Sequence, residues 1–578
     1  MKNFTVADYL LVRLRQLDVE HVFQIPGDYV AHFTQALEKQ GPRIGINAIG
    51  AANELDAAYA ADGYARIRGL GAVSLQFGVS TFSALNAIAG AYVERAPVVV
   101  ISASPSWEDR HVTNMYGVLY HHSTGNLNAD QQVFEQVTVD SAMLDNAADA
   151  PEIIDRVLTS AITEKRPVYL AAFKEIWGFP CKPPGKRKLK PIKKESNPRF
   201  LEEAVEAAFA MIEKAEFPVI FAGVELLRFD LTHLLSKLIK KSGFLFTTTS
   251  LGKTVLSEKH KGFVGTYSDL AAVPGTLEVI NKADCFITLG TIITDDYLDF
   301  ISKDYGKMIR VDTIHSRVGW TPYPDVTMED FMKELIKCFK KPDYPKNFKA
   351  PKPPKWPEPW VSNIDPKYAK DKDVLTYNRF FQHSMAFLHK HKMMDDIIMN
   401  FGISSAMYAG TNVFGLSQNS FIASAAWQCI GFGTGVALGV QLGSDNKKRA
   451  WTIPGDGGFM MICQSLSTQA RNKLNAVTFV MSNGVYAIEQ VYVNIKAFNP
   501  NKKGQPPFDN FDILADWDYV SLAKGFGAKG YRVTNVQELN ECLHEIKDLK
   551  DVPALVEVVI PKLDLAGQMN KLYQSALQ

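Results

Sequence analysis

Two short apolar runs, each ending in a polar tip and separated by about one helix, constrain the fold of this chain more than any other stretch. Residues 450–453 and 476–481 have the composition of strands buried on both faces of a parallel sheet. Between them, residues 459–474 have the length and spacing of one helix, so the unit is expected to be β-α-β. Gly455-Asp456-Gly457-Gly458 follows the first run and Asn483-Gly484-Val485 the second. Parallel strands bring both tips to the carboxyl edge of one sheet, where open α/β sheets bind ligands. Glycines beside Asp456 let backbone N–H groups approach a phosphate, and the helix beginning near Phe459 adds its positive N-terminus. The Asp456 carboxylate, the Asn483 amide oxygen and a backbone carbonyl at Val485 are hard donors suited to a Mg²⁺ ion that also holds diphosphate oxygens. A Gly-Asp-Gly triplet alone is usually a turn. Its weight here comes from Asn483, 27 positions after the Asp, with a strand before each.

The chain around this unit is long enough for several cores. At 578 residues it should divide into about three or four domains. Hydrophobic residues make up 46% and charged residues 22%, the balance of an ordinary globular protein. A formal net charge of +1 gives no reason to expect nucleic acid or an anionic membrane as a partner. The cysteines at 181, 285, 338, 429, 463 and 542 have neither metal-ligand spacing nor a disulfide framework, which suits reduced thiols in a cytoplasmic protein. The first fifteen or so residues pattern as an amphipathic helix rather than an apolar signal segment. The apolar run 98–103 is far too short to span a membrane and reads as a buried strand.

Residues 1–185 alternate helical and apolar-strand patterns, the signature of α/β structure with a parallel sheet. Strands are expected at 21–24, 44–48, 72–76 and 98–102, with helices over 5–17, from about 50 to 66 and over 83–92. Small side chains along 51–65 permit close approach of another backbone, with a second subunit's as one candidate. A basic, proline-rich segment near Cys181 reads as a solvated connector, because it lacks the aromatic interleaving of a nucleic-acid site. Residues 198–340 form a second α/β unit with strands at 218–223, 244–248 and 285–290, and no dinucleotide fingerprint. A second proline-rich linker, 341–372, should be extended, and residues 373–578 carry the opening motif. The first and third units look like similar modules, so the expected fold class is α/β with three doubly wound parallel-sheet domains.

Gly455-Asp456-Gly457 and Asn483 resemble the cofactor motif of the thiamine diphosphate enzymes. Gln24-Ile-Pro-Gly-Asp28-Tyr, Asn53-Glu54 through Tyr64-Ala-Arg66, Ser83 to Tyr92, His121-His122 and Asn483-Gly-Val-Tyr-Ala-Ile-Glu489 stand in the order of the 2-keto acid decarboxylases. This resemblance, which spans nearly the whole chain, implies a domain for the cofactor's pyrimidine, a central domain and a domain for its diphosphate and Mg²⁺. It also implies a homodimer or homotetramer with active sites at the subunit interface. Glu54 falls at the position that activates the cofactor through its aminopyrimidine. Asp28, His121, His122 and Glu489 form the implied acid/base set, suited to proton transfers near neutrality. In Trp427-Gln428-Cys429-Ile430-Gly431, Ile430 matches the bulky wedge that bends the cofactor, and Gln428 is a further implied cofactor contact. Gly455, Asp456, Gly457, Gly458, Asn483, Val485 and Tyr486 complete the implied cofactor contacts, with Asp456, Asn483 and Val485 as metal ligands.

There are departures from the family pattern. Pyruvate decarboxylases tend to read Glu-Thr-Gly-Asp-Ser-Trp where this chain has Asn400-Phe401-Gly402-Ile403-Ser404-Ser405. Ser405 thus stands in place of a large aromatic residue, and Phe401, Ile488 and Tyr492 are the other candidates for the substrate pocket. The implied function is non-oxidative decarboxylation of a 2-keto acid, larger than pyruvate, to an aldehyde and CO₂. Two alternatives stay open. One is a carboligase or lyase of the acetolactate synthase or benzaldehyde lyase kind. The other is a non-catalytic cofactor-binding assembly protein.

Overall fold

A computed structural model describes residues 4–269, 271–339, 373–498 and 507–565. The proline-rich linker expected at 341–372 lies outside the described residues. The first sheet comprises β1 (His21–Gln24), β2 (Asn47–Gly50), β3 (Gly71–Ser74), β4 (Val98–Ser104), β5 (Ser141–Leu144) and β6 (Val168–Phe173). The second comprises β7 (Pro218–Ala222), β8 (Leu245–Thr248), β9 (Phe263–Thr266), β10 (Cys285–Leu289), β11 (Met308–Val311), β12 (Ser316–Val318) and β13 (Thr321–Pro322). The third comprises β14 (Ile397–Phe401), β15 (Phe421–Ile422), β16 (Arg449–Ile453), β17 (Val477–Ser482), β18 (Lys529–Val533) and β19 (Ala554–Val559). Helices flank all three, so three α/β domains are present, as the alternating pattern implied.

The first sheet has the order β2-β1-β3-β4-β6-β5 and the third β15-β14-β16-β17-β19-β18. Counted within each sheet, the two orders are identical and every pairing is parallel, so the likeness of the two modules extends to topology. The middle sheet, β13-β12-β11-β10-β7-β8-β9, is parallel except for the β11-β12-β13 edge. Among the described residues no helix is long and apolar enough to cross a membrane.

The helix Glu54–Arg68 packs along the helix Phe432–Gly443 of the third domain in the same chain. The small residues at 51–65 therefore receive this chain's own helix, not a second subunit's. A Cβ on Gly439 would lie 1.7 Å from the Ala60 carbonyl oxygen, and one on Gly63 2.5 Å from that of Val436. Tyr59, Tyr64, Phe432, Val436 and Val440 share one buried cluster across the contact. An ion pair joins the central domain to the first, and an ion-paired lysine hydrogen-bonds it to the third. Arg95 meets Glu225 at 3.0 Å, and buried Lys253 pairs with Glu258 while donating to the Val413 carbonyl at 2.7 Å.

Two expected elements differ. The strand expected at 44–48 starts at Asn47, because the helix Ala31–Ile44 continues to a left-handed Gly45 (φ 80°). The single helix expected over 459–474 is two, Asp456–Met460 and Ser465–Arg471, and the first begins at Asp456 itself. Overpacking a close crossing costs about 1–3 kcal/mol. Gly439→Ala should accordingly lower the thermal unfolding temperature, measured by calorimetry, whereas Gly525→Ala, where a Cβ meets open space, should not.

Candidate active site

The third sheet builds its ligand edge from the turns after β16 and β17. β16 ends before Pro454, and Gly455 caps the short helix that Asp456 opens. One Asp456 carboxylate oxygen accepts the Gly457 N–H at 3.0 Å. The other accepts the N–H groups of Asn483 at 3.0 Å and Gly484 at 2.6 Å, stitching the two turns together. A Cβ on Gly455 would enter open space, so this glycine keeps the edge bare. Gly457 has a different reason: its Cβ would lie 2.2 Å from the Tyr486 ring. A clamp from residues 512–514 holds the second turn, with Tyr486 N donating to the Asp512 carbonyl at 2.8 Å and Leu514 N to that of Gly484 at 3.1 Å.

These turns wall a cavity of about 250 Å³ shared with Tyr377, Gly402–Ala406, Ile430 and Ala487–Glu489. Ser404 enters it with φ 65°, a left-handed conformation strained for serine, as the helix Ser405–Thr411 starts. Ile430 is half-exposed to it at the end of a loop that the first domain grips. The Glu94 carboxylate accepts the Ala426 and Trp427 N–H groups at 2.8 and 3.0 Å. Trp427 Nε1 donates to Asn86 at 2.9 Å, and the Cys429 thiol lies 2.6 Å from the Tyr59 hydroxyl. Buried Arg66 pairs with both Glu94 at 2.8 Å and Asp62 at 2.7 Å beneath the loop.

The donor set suits a cation and an anion together. Burial pushes the Asp456 carboxyl above its ordinary range, against the backbone N–H groups that favour its charge. No cationic side chain pairs with it among the described residues. A buried carboxylate without a counter-charge, beside an amide oxygen and a bare backbone turn, fits a hard metal ion bridging to phosphate.

Comparison with known proteins gives the family. The profile of the thiamine pyrophosphate enzyme N-terminal TPP binding domain matches residues 4–139, that of the central domain 205–338, and that of the C-terminal TPP binding domain 404–558. A pyruvate decarboxylase of Candida glabrata is 30% identical, over 98% of this chain and 96% of its own length. Pyruvate decarboxylase isozyme 1 of Saccharomyces cerevisiae is 29% identical, over 98% and 97%. The chain belongs to the thiamine diphosphate-dependent 2-keto acid decarboxylases.

As a member of that family the chain separates its expected site residues into two groups. Ser405, Ile430, Gly455–Gly458, Asn483, Val485, Tyr486, Ile488 and Glu489 all border the cavity. Asp28, Glu54, His121 and His122 do not. Asp28 accepts from Gln76, Tyr29 lies 6.4 Å from the His122 ring, and a Cβ on Gly78 would strike the His122 carbonyl, so this trio shares an exposed face of the first domain. Half-buried Glu54 opens its helix beside Asn53, and Ala52 N and Asp56 bond Thr468 of the third domain at 3.0 and 2.6 Å.

Two substrate-pocket assignments and one cofactor contact need correction. Phe401 is fully buried, stacked on Phe421 at 4.8 Å, and belongs to the core. Tyr492 is 80% exposed and does not reach the cavity within this chain. Gln428, with φ 52°, turns from the cavity and donates to Asp296 at 3.5 Å. Sequence reasoning missed Tyr377, Ser404 and Ala406 as lining residues, and no motif marks them.

Below Tyr377, the Asp564 carboxylate accepts the Tyr377 N–H at 2.7 Å, and burial pushes its carboxyl up to about 6. A raised carboxyl favours the folded state below its ordinary value near 4 and loses that contribution as pH rises through about 6. Asp564→Asn, which keeps an acceptor without the charge, should therefore gain unfolding temperature relative to the native protein on going from pH 4.5 to pH 8. An equal difference at both pH values would show that Asp564 is not titrating there.

Proposed function

We propose that this decarboxylase acts on a 2-keto acid larger than pyruvate, branched, long-chain or aryl, releasing CO₂ and the aldehyde with the help of Mg²⁺. The supporting observation is the cavity wall at Gly402–Ala406, where small and aliphatic side chains stand and Phe401 has turned into the core. Each buried methylene of a longer substrate gains about 0.8 kcal/mol where room remains. Asp456, Asn483 and the Val485 carbonyl would hold Mg²⁺. Gly455 and Gly458 would leave space for the diphosphate, and Ile430 and Tyr486 would support the ring system. Thiamine diphosphate, when bound, supplies the carbon nucleophile and electron sink that decarboxylation requires. Glu489 stands ready in the cavity wall to hold a proton beside the reacting atoms.

The remaining acid/base groups would come from a second copy of the chain. Asp28, Glu54, His121 and His122 lie outside this chain's own cavity, and the helix Trp107–Tyr116 near the histidines buries none of its residues. A homodimer or homotetramer would cover that face and bring Glu54 to the neighbour's aminopyrimidine.

A second substrate, pyruvate, follows from the names of the relatives. The panel that decides compares kcat/KM for pyruvate, a branched keto acid and an aryl keto acid, with and without Mg²⁺. The larger acids should exceed pyruvate, Mg²⁺ should be required, and Ser405→Trp should invert the order. Pyruvate preferred by the native protein would reject the size assignment. For the shared site, Glu54→Gln should still bind cofactor yet exchange its thiazolium C2 proton far more slowly. An inactive Glu54→Gln variant mixed with an inactive Asp456→Ala variant should regain part of the activity through mixed dimers. Absence of any recovery, with mixed dimers verified, would place Glu54 in its own chain's site.

A further inference from the structure

We infer that Tyr377 is a cofactor-binding residue of this chain, its phenol donating a hydrogen bond to a diphosphate oxygen beside Asp456. The inference deepens the site assignment above and depends on the cavity holding the diphosphate. Tyr377 is only 3% exposed, and its hydroxyl, which bonds no described residue, is not among the sealed, partnerless polar atoms, so it opens on the cavity. A phenol held in this way is free to donate to a ligand. The side chain forms part of the cavity wall together with Gly455–Gly458, which directs its polar end to whatever the cavity holds.

The chemistry of that partner follows from the surroundings. A phenol is protonated near neutrality, so it can donate a hydrogen bond to an anion. At the nearby strand end Phe401 lies in the core and Ile403 is apolar, so the side chains there that could donate are those of Ser404 and Ser405. Two hydrogen bonds fix the backbone that carries it. Tyr377 N donates to Asp564 at 2.7 Å, and the Thr376 hydroxyl accepts the Arg379 N–H at 3.2 Å.

Tyr377→Phe removes the hydroxyl and keeps the ring. The test is calorimetric titration of native and variant protein with thiamine diphosphate and with inorganic pyrophosphate, each at saturating Mg²⁺, beside the unfolding temperature without ligand. Both affinities should fall by a common factor of about tenfold or more, as for a hydrogen bond to a charged group, with the ligand-free unfolding temperature unchanged. Unchanged affinity for both ligands would overturn the inference. So would a loss confined to thiamine diphosphate, which would assign the hydroxyl to the ring system, or a lower ligand-free unfolding temperature accounting for the loss. Native protein that binds neither ligand would instead remove the diphosphate from the cavity, and the inference with it.

Discussion

Where the helices Glu54–Arg68 and Phe432–Gly443 cross at Gly63 and Gly439 there is no room for a side chain, and the third domain's cavity is built around that contact. Gly63 and Gly439 let the two backbones touch, and the buried cluster around Tyr59 and Phe432 makes one core of what would otherwise be two. The crossing also seats Arg66 beneath the loop that ends at Ile430, stacked 4.6 Å from the Phe432 ring. There it meets Asp62 and Glu94 with almost no exposure, so removing one partner strands the others without water. Glu94 in turn holds the loop's backbone. A residue in the wall of the third domain's cavity is thus held in position by the first domain.

The central domain contributes through the same principle, with charges buried only where they can be paired. Lys253 and Glu258 reach from it to the carbonyl of Val413 and the N–H of Leu416, the segment between the helix Ser405–Thr411 and β15. Asp296 meets Tyr408 at 3.3 Å and Gln428 at 3.5 Å. Both sides of the cavity's apolar wall are therefore backed by polar contacts from another domain, although none of these residues lines the cavity.

Sheets were legible because parallel strands buried on both faces are continuous apolar runs, as at 98–104, 218–222 and 477–482. The juxtaposition of Asp456 and Asn483 followed from the same pattern, since each directly follows a strand of one sheet. What composition left open was direction. Small residues at 51–65 announce a close neighbour without saying whose, and here it is the chain's own helix. Phe401 ends β14, and the alternation of side chains across a strand sends it to the core while Gly402 starts the cavity wall. Tyr377 was illegible because nothing local marks it. It reaches the cavity only when the C-terminal side of the third domain folds back to set Asp564 under its helix.

The site also explains why this fold tolerates an expensive arrangement. Asp456 could have been placed at the surface, where charge costs little. It is buried with three backbone N–H groups and no cationic side chain among the described residues. An ion that binds only the folded state would offset the carboxylate's charge, and an anion brought with it would accept hydrogen bonds along the bare Gly455 edge. Any such binding would stabilise the folded chain by linkage. The strained Ser404 and the side chain of Tyr377 stand on the same wall.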